Sequence, residues 1–366
     1  MEVKDKAKRR KVIIYTGIIC LLAVFLCLSQ VFASTTQNIL YSCNILLDND
    51  SLRVHFINVG QGDAIAISLP DGKTMLIDAG TISHAKELES YLMQNVVINH
   101  ASSQLDYVVM THSDVDHIGG MARILTKFGA KNIYRPSISC PLDADYDVDS
   151  SLGSETYTNT IAVVNRLESQ GSNVYFNAQG LKISGQDYEI EFLSPIKDNY
   201  ATSNEYSPFI LLTCYGKTFL FTGDAVFDNE AELLDAYPDL DVDILKVAHH
   251  GASTSTSSEF VQAITPEYAV ISVGQNGHGH PTSATLANLN TCCEPDDILT
   301  TDNLGNITFV IGGGYDFGYI YGDIKTTINL DWYVFFAVFF VGEIVAIWLV
   351  IHFLHKSSTK SDKNRL

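Results

Sequence analysis

"VVMTHSDVDHIGG", residues 108–120, sets two histidines and two aspartates within six positions, after an apolar run and before two glycines. The apolar run reads as a buried strand and "GGM" as the start of a helix, so the turn between them projects several side chains to one side of a sheet edge. Imidazole and carboxylate together suit zinc, manganese or iron, and four such groups this close suit two ions better than one. A polar turn with an Asp helix cap explains one or two of these residues but not the whole set.

Similar strand ends recur further on. "FLFTGDA" closes on Asp224, "LKVAHHGAS" on His249 and His250, and "VISVGQNGHGHPT" near His278 and His280. One strand-terminal aspartate is most often a cap, but caps do not account for the recurrence. Asp63, in the Gly-rich "VGQGDA", is expected to serve its turn, and Asp78, closing "KTMLIDAG", to orient a metal ligand through a hydrogen bond.

The surrounding pattern predicts an α/β domain. "LRVHFINVG", "AIAISLP" and "KTMLIDAG" are short β-rich runs closed by Gly, Pro or Asp-Gly, as hairpin strands should be; "AKELESYLMQN" is helical and "LDYVVMTH" a buried strand. The second half repeats the style, with strands in "DYEIEFLSP", "SPFILLTCYGKTFLFTGD", "VDILKVAHH" and "PEYAVISVG" and helices in "DNEAELLDAY" and "SSEFVQAIT". Hairpins followed by alternation, in two similar halves, point to two facing sheets covered outside by helices. The polar stretch from Ser137 to Thr160 reads as a solvated loop. Its alternating Asp143, Asp145, Asp147 and Asp149 lack the sixth-position Gly and terminal Glu of a calcium loop.

With 366 residues, 46% of them hydrophobic, the chain has enough apolar material for a large core. Val12 to Ala33 and Trp332 to Leu354 are each long and apolar enough to cross a bilayer core of about 30 Å as a helix. Basic flanks (Lys4 to Lys11 before the first, Lys356 to Arg365 after the second) place both termini in the cytoplasm and residues 34–331 outside it. "VFAS" at 31–34 leaves a cleaved signal peptide as the alternative to an N-terminal anchor. The expected order is a basic N-terminus and span or signal (1–33), a linker (34–51), the α/β domain (52–312), a linker (313–331), a span (332–354) and a basic cytoplasmic tail (355–366). Glu343 lies mid-way along the second span, where an ionised side chain costs roughly 2.5 kcal/mol or more, and so suggests a partner helix.

Residues 34–331 hold 13 Lys and Arg against 38 Asp and Glu, a net of −25 that repels polyanions at long range. A nucleic-acid substrate would need local metal charge. Cys20 and Cys27 fall in the first span, and Cys43, Cys140, Cys214, Cys292 and Cys293 show no metal-type spacing, so mostly buried free thiols are expected.

The motifs "VGQGDA", "LIDAG", "THSDVDHIGG", "FTGDA", "KVAHHGAS" and "GHGHP", in this order, resemble the metallo-β-lactamase superfamily and within it the hydrolase domain of ComEC/Rec2 competence proteins, over roughly residues 52–312. The resemblance implies an αββα four-layer sandwich flanked by two transmembrane helices. It also implies two divalent metal ions, zinc with manganese as the alternative. His112 and Asp114 would ligate the first, Asp116 and His117 the second, and Asp224 would bridge them. The remaining ligand, at the end of the next-to-last core strand, fits His280, with His278 as fallback; His250 resembles a histidine near the scissile phosphate or leaving group, and His249 supports a ligand. Two departures stand out: "NEYSPF", with Asn204 and Ser207, sits where many members place a further histidine, and Asn58 stands where relatives usually show Asp.

The implied activity is a membrane-tethered phosphodiesterase or nuclease using a two-metal-activated hydroxide, with Asp116 and His250 catalytic. The alternatives are a hydrolase of a small lactam, lactone or thioester, favoured by the acidic domain, and a non-catalytic membrane adaptor.

Overall fold

The computed structural model describes residues 50–97, 103–138, 154–312 and 315–322. Both apolar segments, Glu343 and the Asp143–Asp149 run lie outside the described residues. Among the described residues, no helix is long and apolar enough to cross a membrane.

The first sheet opens with β1 (Ser51–Phe56), β2 (Ile65–Ser68), β3 (Thr74–Ile77), β4 (Leu105–Val109), β5 (Ala130–Arg135) and β6 (Asn173–Phe176). The second follows with β7 (Lys182–Ser184), β8 (Tyr188–Phe192), β9 (Ile210–Cys214), β10 (Lys217–Phe221), β11 (Ile244–Lys246), β12 (Tyr268–Ile271) and β13 (Ile298–Thr300). The chain then returns to the first sheet as β14 (Ile307–Gly312) and β15 (Tyr315–Tyr321). The strand orders are β15-β14-β1-β2-β3-β4-β5-β6 and β13-β12-β11-β10-β9-β8-β7.

Side-chain alternation along these strands builds the layers. In β1, Leu52, Val54 and Phe56 face the second sheet, meeting Phe219 and Phe221 of β10 in a shared apolar core. The opposite faces are buried too. Ala66, Leu76 and Val108 pack under α1 (Ala85–Asn95), α2 (Met121–Phe128) and α3 (Glu155–Ser169), while Leu220, Leu245 and Ala269 pack under α4 (Phe227–Ala236), α5 (Ser258–Ile264) and α6 (Ser283–Leu289). Three apolar interfaces between four layers give the αββα sandwich.

Two expectations are corrected here. The supposed loop from Ser137 to Thr160 already contains the first turns of α3: Ser154 Oγ accepts from Tyr157 N–H, and Tyr157, Thr160, Ile161 and Val164 bury one helical face. The domain also continues past residue 312, because Tyr315–Tyr321 pairs antiparallel with β14 instead of forming a linker.

The parallel arrangement positions the site. Strand β4 runs parallel to β3 and β5, and β10, β11, β12 and β13 run parallel to one another, so their carboxyl ends collect at sheet edges. Such ends are where open α/β sheets hold ligands. The β9–β10 hairpin closes through Tyr215 and Gly216, both with positive φ (49° and 76°), as a two-residue turn matched to strand twist requires.

Candidate metal centre

His112 and His117 come from the turn after β4 and His250 from the turn after β11, and all three are buried. His117 Nδ1 donates to Asp78 Oδ2 at 2.7 Å, and His250 Nδ1 donates to the Ser272 carbonyl at 2.8 Å. His112 Nδ1 lies 3.0 Å from Thr111 Oγ1, a hydroxyl that itself donates to Asp78 Oδ2 at 2.6 Å. Carboxylate, carbonyl and a hydroxyl already donating can only accept, so each Nδ1 carries the proton and each Nε2 presents a lone pair.

All three Nε2 atoms and Asp224 Oδ1 are buried with no hydrogen-bond partner. Leaving such atoms unsatisfied costs about 1–3 kcal/mol each unless something fills the space between them. Asp224 is the common neighbour: Oδ1 is 3.1 Å from His117 Nε2, and Oδ2 is 3.6 Å from His250 Nε2, 3.7 Å from His249 Nε2 and 4.0 Å from His112 Nε2. Two overlapping donor groups result, His112 with His117 and Asp224, and Asp116 with His117 and His250, the atoms of each lying within 4.8 Å of one another. Asp114 Oδ2 stands 3.7 Å from His112 Nε2 with its side chain 46% exposed, at the open side of the first group. Imidazole nitrogen and carboxylate oxygen in this number fit divalent transition metals.

The electrostatics agree. Burial opposes ionisation of Asp224, but the facing His117 and His250 outweigh it and hold the carboxyl well below the usual carboxylate range. Burial likewise works against a charged His117, yet Asp224 and Asp78 raise its pKa well above the ordinary imidazole value, and His250 is raised by Asp224 and Asp116 against its own burial. Desolvation opposes ionisation of Asp116, but the facing His250 and the charge of His117 overcome it and lower its pKa to about 2. The pocket therefore attracts a positive species to Nε2, proton or metal.

Of the residues predicted from sequence, the structure brings together His112, Asp114, Asp116, His117 and Asp224, and gives Asp78 the expected supporting place. His250, expected to be catalytic, and His280, expected to be a metal ligand, are placed differently from those expectations. His250 stands in the donor group, aimed inward by a turn in which His249 (φ 51°) and His250 (φ 55°) both adopt left-handed conformations. Such conformations cost L-residues roughly 1–2 kcal/mol each and persist where the surroundings enforce them. His280 belongs to neither group. After β12 the chain runs through a loop closed by Asn276, which accepts from His280 N–H and donates to its carbonyl, leaving the His280 ring 5.8 Å from that of His249 at the rim. His278 lies two residues earlier in the same loop, its ring 5.5 Å from that of His280.

Ser207 explains the missing histidine. Its Oγ accepts from Asp224 N–H at 3.0 Å and lies 3.3 Å from His112 Nδ1, so it braces two donors instead of supplying one. Asn204 lies outside both groups, and Asn58 pins its loop through Asn306 Oδ1 and the Thr301 carbonyl. Sequence reading missed Thr111, Ser272 and Lys246. Lys246 alone left a signal: a lysine two positions after Ile244 in a short strand occupies the same face, which is the apolar inner one.

Gly62 fixes the approach of the first loop. A Cβ there would fall 2.2 Å from the Asp116 carbonyl oxygen, and its φ of 144° disfavours L side chains. Gly62→Ala is expected to displace Asp116, weaken metal binding by about 10- to 100-fold, as loss of a supporting contact does, and lower Tm. Competitive zinc titration and a melting curve check this, and unchanged zinc affinity would refute it.

Residues 57–275 match the family model described as Metallo-beta-lactamase superfamily. ComE operon protein 3 of Bacillus subtilis is 28% identical over 271 residues, covering 70% of this chain and 32% of its own. Recombination protein 2 of Haemophilus influenzae is 27% identical over 235 residues, covering 63% of this chain and 25% of its own. The chain thus spans a third or less of the length of these curated relatives. Among solved structures, the metallo-beta-lactamase fold protein YhfI from Bacillus subtilis aligns over 71% of this chain and 99% of that chain, with 14% identity and a TM-score of 0.41.

Proposed function

We propose a function from one premise: the chain belongs to the metallo-β-lactamase superfamily. It carries a fold of metal-dependent hydrolases and is related to competence proteins. The reading is a membrane-tethered phosphodiesterase or nuclease holding two divalent cations, zinc or manganese, with its hydrolase domain outside the cytoplasm and both termini inside. The observation that carries it is the convergence of three inward Nε2 lone pairs on Asp224. Relatives named for competence and recombination support a nucleic-acid substrate.

Divalent cations bound there would supply Lewis-acid stabilisation of a phosphoryl oxygen and a water acidic enough to attack near neutral pH. His112 and Asp114 would hold one, Asp116, His117 and His250 the other, and Asp224 would contribute to both. Asp116, ionised and 29% exposed, accepts a hydrogen bond from the entering water and aims it. Asp78 and the Ser272 carbonyl keep the Nε2 atoms directed inward. His249 and His280 are the rim imidazoles left to contact substrate.

Surface charge favours a second reading. Lys73, Arg123, Lys131, Lys182, Lys197 and Lys217 each pair with a carboxylate, leaving them neutralised as anchors for a phosphate backbone. A small lactam, lactone or thioester would need no such anchors. Side-by-side turnover separates the two: the expected result is kcat/KM for a phosphodiester at least about tenfold above that for lactam, lactone and thioester. The reverse order would select the small-substrate reading.

A further inference from the structure

The two halves of the site belong to different sheets. His112, Asp114, Asp116 and His117 follow β4, whereas Asp224, His249 and His250 follow β10 and β11. Apolar packing holds the sheets together but has no direction, while a metal site tolerates errors of only about 0.5 Å. A charged pair crosses from one sheet to the other directly behind the site.

Lys246, the last residue of β11, is fully buried on the inner face, and its Nζ lies 2.5 Å from Asp63 Oδ2. Each partner is tied to one half of the site. Asp63 N–H donates to the Asp116 carbonyl at 3.1 Å, and the Asp63 carbonyl accepts from Gly80 N–H at 2.8 Å. On the other side, Lys246 Nζ donates to the Gly223 carbonyl at 3.3 Å, the same oxygen that accepts from His249 N–H at 3.1 Å. A continuous path therefore runs from Asp116 through Asp63 and Lys246 to the peptide preceding Asp224. The second Asp63 oxygen lies 3.5 Å from His250 Nδ1.

Stability alone does not account for this pair. Replacing a buried ion pair with apolar residues of similar volume is often neutral or favourable, and alternation assigns position 246 to the apolar core. Asp63 also falls within donor distance of Asp78 and His117, a third acidic group that could hold a cation, and the Lys246 ammonium sits on it.

We propose that the Asp63–Lys246 pair is a positioning strut that sets the spacing of the two half-sites, so that cations are held at both. The strut rests on the metal-dependent reading above and touches neither the cations nor the substrate.

The test is zinc titration against a chromophoric chelator, using the full-length chain in detergent after metal stripping. Lys246→Met and Asp63→Asn are each expected to melt lower, because each leaves a buried charge alone. The double variant Lys246→Met/Asp63→Asn, neutral in sum, is expected to recover most of the melting temperature yet bind its second zinc equivalent at least tenfold more weakly than wild type. Its cobalt-substituted absorption spectrum is expected to differ as well. Wild-type affinity for both equivalents in the double variant, with an unchanged cobalt spectrum, overturns the strut. A double variant that fails to fold also overturns it, since the pair would then serve the fold itself. A wild-type chain that takes up no zinc overturns the metal reading instead, which keeps the two failures distinct.

Discussion

Asp224→Asn is expected to abolish uptake of both cations and to lower turnover by about a thousandfold or more, equivalent to about 4 kcal/mol of transition-state stabilisation. Among the described residues, Asp224 is the one carboxylate within 4.0 Å of the Nε2 atoms of all four of His112, His117, His249 and His250. The amide keeps the shape, and the backbone N–H of position 224 keeps its bond to Ser207. What disappears is the charge at the centre of the donor set, and an NH2 group takes one of the positions that must accept. Metal content by mass spectrometry and turnover, measured on chain of wild-type melting behaviour, check this. An Asn variant that retained two metal equivalents would remove Asp224 from its central place.

Zinc is expected to raise Tm more at about pH 8 than at about pH 6, with the sign set by the directions of the imidazole shifts. His117 and His250 have raised folded-state pKa values despite burial, because Asp224, Asp78 and Asp116 face them. Their contribution to the metal-free chain is complete below the unfolded value of about 6.5 and is lost as pH rises through the folded values. For Asp114 the chief cause of the shift is the nearby His112; Asp116 and Asp224 are lowered by neighbouring histidines against their burial. Their contribution is present above about 3.9 and is lost as pH falls through the folded values. The metal-free chain therefore gains most from this cluster between about pH 4 and 6.5. A cation must displace the imidazole protons, and that competition weakens as pH rises. Melting curves with zinc and with chelator at both pH values check this. A gap that stayed constant or narrowed toward pH 8 would contradict the shared use of Nε2 by proton and metal.

Much of the centre was legible in the sequence because strand ends and ligand types coincide. The His112–His117 turn after an apolar run, Asp224 after "FLFTG" and Asp78 all come together in the folded chain. The placement of His250 inside the cluster and His280 outside it was not legible, since it depends on consecutive left-handed residues in "HHG" and on a loop closed by Asn276, and neither leaves a compositional mark. Two strands escaped for a similar reason. β13 has three residues, and β15 carries its Tyr and Phe alternation through a glycine-rich stretch that reads as loop. The start of α3 was hidden because Ser154, its cap, ends a run of polar residues that offers no periodicity until Tyr157 and Ile161. Lys246 was readable only once β11 had a face, because a buried lysine stands out by alternation and not by motif.

The most direct measurement is cleavage of bis(p-nitrophenyl) phosphate and single-stranded DNA by the full-length chain, metal-stripped and then reconstituted with zinc or manganese, with Asp116→Ala alongside. A metal-dependent phosphodiesterase predicts cleavage that vanishes on stripping, returns with the metal and is lost in Asp116→Ala. A reconstituted chain that holds metal yet cleaves neither substrate, or an Asp116→Ala variant as active as wild type, would contradict it.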